Sequence, residues 1–284
     1  MFEYDELKLY KGNAKTYVGY SVPINNKISI YQPTLSEIAD FGEKEYFNAV
    51  YTLTSVPADL KWQLWDIGID YTKVDDYELF IFFTSQLLSS QKNIYSEWIS
   101  NPEKYEDKLI SLSEQDIADM ETNPLCLVLK DIDIADFTIV KKTYNNDIQQ
   151  YVLMDCKKGI VIDRYVYTKI VEFVRKIHGL KRNNETPANE RTKMDLIEDA
   201  RDEAMLSKNK PYKSFLKPLI STMKVKCGQC GDERIWNQDI GQFLYDIKRI
   251  GHAQNAELLL SGAYSGFGSL KGVDQNRLDI FADI

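Results

Sequence analysis

Apolar and polar positions near the start of the chain follow the period of two that a half-buried strand requires. Leu7 to Tyr10 alternates, Tyr17 to Val22 is aromatic and β-branched, and Lys27 to Tyr31 puts Ile28 and Ile30 on one face. Lys11-Gly12-Asn13 and Asn25-Asn26 supply turns, so a small antiparallel sheet is expected. At Pro33 the period changes. Thr34-Leu35-Ser36-Glu37 has the spacing of a capping box, in which hydroxyl and carboxylate each satisfy an orphan backbone donor at a helix start. Leu35, Ile38, Phe41, Tyr46, Ala49, Val50 and Leu53 then recur at helical spacing. Pro57 opens a second helix, Ala58 to Ile67, closed by Gly68 and carrying a Leu60, Leu64, Ile67 stripe flanked by Trp62 and Trp65. Asp75-Asp76-Tyr77-Glu78 caps a third, with Tyr77, Phe80, Ile81, Phe83, Leu87 and Leu88 on its core face.

Residues 89–124 are more polar and read as short helices in a surface excursion. A meander follows in Leu125 to Leu129, Phe137 to Val140, Gln150 to Met154 and Gly159 to Ile162, with turns at Asn145-Asn146-Asp147 and Lys157-Lys158-Gly159. Asp163 caps a helix that places Tyr165, Ile170, Phe173, Val174 and Ile177 on one face and ends at Gly179. A polar connection from Lys181 to Thr186 leads past Pro187 to a charged helix, Asn189 to Lys208. Tyr212 to Val225 is expected as a helix interrupted or bent at Pro218, and Ile235 to Leu260 as one or two more. A glycine-rich turn, Gly262 to Gly268, precedes an amphipathic tail, Arg277 to Ile284. The class is α+β, mainly helical, with a small N-terminal antiparallel β element and a central meander. The expected division is 1–88 (hairpin plus helices), 89–124 (polar excursion), 125–162 (meander) and 163–284 (helical region).

Composition narrows the function. The 284 residues carry 44% apolar side chains and a net charge of −8, which excludes disorder and gives no basic face for nucleic acid. The acidic, alternating Met1 to Tyr10 is unlike a secretory leader, and Leu79 to Phe83, the longest apolar run, is far short of the roughly 18 residues of a membrane span. With four cysteines too sparse for a disulfide framework, a soluble cytoplasmic protein is expected.

Chemistry has little to work with, because the chain holds only two histidines, His178 and His252. Cys227 and Cys230 form one Cys-x-x-Cys turn, which is half of a zinc site; without a second pair it reads as a free-thiol turn, and neither metal nor cofactor is expected. Gly262, Gly266 and Gly268 lack the strand before and the Gly-Lys-Ser/Thr turn of a phosphate loop. Asp75-Asp76 and Asp131 with Asp133 suit a cap and a surface turn as well as an acid/base pair. His178, beside Gly179, is expected as a charged partner of its helix C-terminus, and Arg175-Lys176 with Lys181-Arg182 forms a local basic knot. Trp62, Trp65, Tyr71 and Trp98 lie on otherwise polar segments, where such residues suit either a protein interface or a half-buried core boundary.

The strings Ser29 to Phe47, Ser55 to Asp70 and Asp75 to Phe80 resemble long-tailed, siphovirus-type phage and prophage proteins of Firmicutes, the tail assembly chaperones. Asp131 to Phe137, Gly159 to Val174, Lys181 to Asp199 and Asn255 to Phe267 are similar to the same family in the same order, so the resemblance covers most of the chain. It departs at residues 89–124, which are longer, and at Cys227 to Cys230. The resemblance implies a non-enzymatic protein of the host cytoplasm, absent from the virion, that binds the tape measure protein and helps recruit the major tail protein. Trp62, Trp65, Tyr77 and Phe80 are the expected partner-binding residues. A structural tail or connector protein of the virion is the alternative, and a zinc-binding nucleic-acid module a more remote one.

Overall fold

Turn and strand chemistry set the first element. The computed structural model describes residues 20–84, 128–129, 132, 137–143, 149–208, 210–227, 232–266 and 268–282. Strands β1 (Tyr20–Pro23) and β2 (Ser29–Gln32) pair antiparallel with Val22 opposite Ile30, and the Asn25 side chain accepts from the backbone N–H groups of Lys27 and Ile28 in the turn. The expected strand at Leu7 to Tyr10, the excursion at 89–124 and the turn at 145–147 lie outside the described residues.

Helix α1 (Leu35–Phe41) begins in the capping box: Glu37 N–H donates to Thr34 Oγ1, and Thr34 N–H to Glu37 Oε2 at 2.8 Å. The helical period read across Leu35 to Leu53 conceals a break. Gly42 adopts φ 111°, a conformation costly for any residue with a Cβ, and restarts the chain as α2 (Glu43–Thr54). The helix expected over Ala58 to Ile67 is likewise divided, into a 3₁₀ turn Pro57–Leu60 and α3 (Lys61–Asp66). Asp59 accepts from Val56 N–H at 2.9 Å and tightens this turn, leaving Leu60 at φ −118° outside the helical region. After a second 3₁₀ turn, Tyr71–Lys73, residues 76–84 form α4. Asp75 Oδ1 accepts from the N–H groups of Tyr77 and Glu78, while Glu78 reaches back to Asp75 N–H, making a second capping box.

The central β element is a three-stranded antiparallel sheet, β3 (Thr138–Thr143), β4 (Gln149–Asp155) and β5 (Ile160–Ile162), in that order. Val128 and Leu129, expected at the end of a further strand, form a turn whose Val128 carbonyl accepts from Tyr31 N–H. Asp163 caps α5 (Arg164–His178), accepting from Val166 N–H at 2.9 Å, and Gly179 in the left-handed region ends it. Its buried face is Tyr167, Ile170, Val171, Phe173, Val174 and Ile177; Tyr165, expected inward, is 67% exposed with Lys169 over its ring. The helical repeat explains the exchange, because Tyr167 lies three and four residues before Ile170 and Val171.

An extended connection leads to α6 (Glu190–Ser207), capped by Asn189. Helix α7 (Leu216–Cys227) shows no interruption at Pro218, which occupies the first turn where a missing N–H leaves no intrahelical bond unmade. Residues 232–264 form two helices, α8 (Asp232–Trp236) and α9 (Ile240–Tyr264), so α9 runs on through Gly262 to Tyr264, into the segment expected as a glycine-rich turn. The main core joins Ile30, Leu35, Leu53, Phe80, Leu153, Phe173 and Phe243, side chains from both sheets and from α1, α2, α4, α5 and α9. A second cluster, with Leu60, Leu64, Leu79 and Ile197, lies where α3 packs on α6. The fold is α+β, and among the described residues no helix is long and apolar enough to cross a membrane.

Candidate protein-docking surfaces

The four aromatics assigned to partner binding do not share one environment. Trp62 and Trp65 are half-buried on α3 at the edge of the second cluster, with Ile67 57% exposed beyond them. Lys193 of α6 lies over the Trp65 ring at 5.6 Å and pairs with Asp70 and Glu190, which fixes α3 against α6. The hydrogen bond from the Thr72 hydroxyl, followed by its backbone N–H and by Lys193, holds Asp70 down at about 2.

Tyr77 and Phe80 sit in the core instead, 3% and 2% exposed. The Tyr77 hydroxyl donates to the Ile162 carbonyl at 2.8 Å and lies 3.1 Å from that of Tyr151, tying α4 to the β4–β5 edge. Phe80 stacks on Tyr167 at 4.7 Å between ring centroids. This burial removes both from any docking face, because apolar ridges on α4 and α5 satisfy each other within the chain. The expectation for these two residues is therefore corrected.

The tandem carboxylates and the basic knot prove to be one cluster. Arg182 holds Asp76 through two bonds of 3.0 and 2.9 Å, Arg175 Nη2 approaches the same carboxylate at 4.0 Å, and Arg164 pairs with Asp75 at 2.7 Å. Arg175 also donates to the Thr54 carbonyl and Tyr167 to that of Leu53, so α5 satisfies the C-terminal carbonyls of α2. Sequence reasoning saw the charges but had no means of bringing positions a hundred residues apart together.

His178 is also corrected. Its Nδ1 donates to the Val174 carbonyl at 2.8 Å, so its Nε2 accepts from the Tyr46 hydroxyl at 2.8 Å. Burial against Tyr46 and Phe47 pushes its pKa down to about 4, so the ring is neutral and is not a charge partner of the helix terminus. His252 Nε2 contacts the Asp279 carbonyl and Arg249 donates to those of Ile280 and Ala282, binding the C-terminal segment along α9.

Cys227 ends α7, while Cys230 lies outside the described residues, as do Asp131 and Asp133. Among the described residues no group of three or more His, Cys, Asp or Glu is placed to hold a metal ion. Exposed apolar side chains are spread over several elements, from Ile67 and Leu206 to Val225, the distal part of α9 and the tail. Leu258 is 71% exposed, Tyr264 90% and Phe281 89%. No protein-family model, curated protein or solved structure matches the chain.

Proposed function

We propose that this protein is a non-enzymatic chaperone of the phage tail assembly type, which binds the tape measure protein in the host cytoplasm and helps recruit major tail protein. The sequence resemblance motivates the reading. The observation that carries it structurally is the distal half of α9, whose Leu258 and Tyr264 stand in solvent on a helix of 25 residues, about 37 Å long. Exposed apolar surface on an otherwise acidic protein is what a holder of an apolar helical client needs. The carboxylates Glu37, Asp70, Asp75 and Asp76 serve caps and ion pairs, and this supports binding over catalysis.

Co-expression with the tape measure protein of the same phage tests the reading. Co-purification and a larger soluble fraction of the client are expected. Insoluble client in both the presence and the absence of this chain rejects the proposal, and recovery of this chain from purified virions points to a structural tail component.

A further inference from the structure

Between α5 and α6 the chain alternates in exposure as a single β-strand does. Arg182, Asn184, Thr186 and Ala188 are exposed, whereas Asn183, Glu185 and Pro187 are half-buried. From 181 to 187 the backbone runs without a turn or bend. Side-chain contacts pin this strap to the body: Arg182 to Asp76, Asn183 Nδ2 to Asp59 at 2.9 Å, and Glu185 to the buried Lys61. It is held straight by these tethers and not by a sheet.

In an extended strand the N–H and C=O of one residue share an edge, and successive residues use opposite edges. The edge of Asn183, Glu185 and Pro187 is partly spent, because Glu185 N–H donates to Asn183 Oδ1 at 2.9 Å and proline has no N–H. The edge of Arg182, Asn184 and Thr186 is open: among the described residues none of their backbone N–H groups or carbonyls has a hydrogen-bond partner. A trough of about 760 Å³ runs beside residues 182–187. In its wall Tyr71 is 3% exposed, and its hydroxyl also has no partner. The charges there are all engaged, since Asp75 pairs with Arg164, Asp76 with Arg182, Glu185 with Lys61 and Glu190 with Lys193. The trough therefore offers backbone hydrogen-bonding capacity and no unspent charge.

We propose that the open edge of Arg182, Asn184 and Thr186 takes an extended, uncharged segment of a client protein, which lies in the trough as an added β-strand. An unpaired strand edge is a template for such addition, and pairing through the backbone tolerates many sequences. The tethers lower the cost of ordering the strap, because it is already straight before the client arrives. Charge selects a neutral segment: a charged side chain placed there loses water and finds every opposite charge already paired. This deepens the chaperone reading, since a client passes through extended chain with unpaired backbone before its helices form. It rests on that reading in taking the occupant to be a client segment.

Labelled peptides of about eight residues, alternating Thr and Val with blocked termini, test the proposal by fluorescence anisotropy on the full chain. One peptide is unmodified, one is N-methylated at every second amide, which leaves one edge free to pair, and one is N-methylated at every amide. The singly edged peptide is expected to bind within about threefold of the unmodified one, and the fully methylated peptide at least about tenfold more weakly. By NMR, the amides of Arg182, Asn184 and Thr186 are expected to exchange fast in the free chain and at least about tenfold more slowly when it is saturated with the unmodified peptide. Asn184→Pro removes one donor of the open edge and is expected to lower affinity by about tenfold with thermal unfolding unchanged, whereas Asn184→Ala keeps the N–H and binds as the wild type does. Equal affinity for the unmodified and fully methylated peptides, unchanged amide exchange on saturation, or no binding at about 1 mM peptide overturns the proposal. Because no tape measure protein is used, failure here leaves the co-expression result standing, and failure there leaves this one.

Discussion

The Tyr46 hydroxyl donates to Nε2 of His178 across 2.8 Å, joining α2 to the last turn of α5 through a neutral imidazole. A histidine beside a helix-ending glycine suggests a favourable positive charge at the negative end of the dipole. Here desolvation outweighs the dipole, because the ring lies under Tyr46 and Phe47 and its second nitrogen is committed to accept.

This pairing makes stability depend on pH in a defined window. The folded imidazole protonates at about 4, against 6.5 for the free group, so between these values the unfolded chain binds more protons than the folded one. Stability is fully present above pH 6.5 and falls as the pH drops toward 4. Urea unfolding at pH 7 and pH 5 is expected to show about 2 kcal/mol lost by the wild type beyond the loss in His178→Gln. Tyr46→Phe removes the donor that favours the neutral ring. It is expected to raise the His178 pKa seen by NMR and to cost about 1 kcal/mol at neutral pH.

The Asp76 cluster predicts an asymmetry. Arg182 is half exposed, so Arg182→Ala is expected to cost less than about 1 kcal/mol. Asp76→Ala leaves Arg175, only 13% exposed, without its carboxylate, and about 3 kcal/mol is expected from chemical denaturation. Equal losses in the two variants contradict this arrangement.

Two glycines of α9 are predicted to respond with opposite signs. A Cβ at Gly241 comes within 2.3 Å of the buried Gln32 side chain, whereas one at Gly251 meets nothing within 4 Å. Gly241→Ala is expected to destabilise by about 1 to 3 kcal/mol through overpacking. Gly251→Ala is expected to stabilise by about 0.5 to 1 kcal/mol, because helical alanine costs less chain entropy. Thermal melts of the two variants measure both signs.

Caps and periods carried most of the fold. Thr34-x-x-Glu37, Asp163 and Gly179 each mark a helix end through a local hydrogen bond, and the structure places ends there. Breaks within a continuous apolar pattern were hidden: Gly42 and Leu60 interrupt helices without disturbing the spacing around them. Exposure was harder still to read. Whether an aromatic on an amphipathic helix faces solvent or a neighbour depends on elements distant in sequence, and Phe80 meets Tyr167 only after the chain has folded.

The exposed apolar side chains of distal α9 offer the sharpest test of the chaperone reading. The soluble fraction of the tape measure protein is measured during co-expression with the wild-type chain and with a Leu258→Ser, Tyr264→Ser double variant. Both positions are largely exposed, so folding is expected to be unaffected while the soluble client falls to the level seen without the chaperone. A client held equally well by the wild type and the double variant contradicts the role assigned to α9, and a client held by neither contradicts the function.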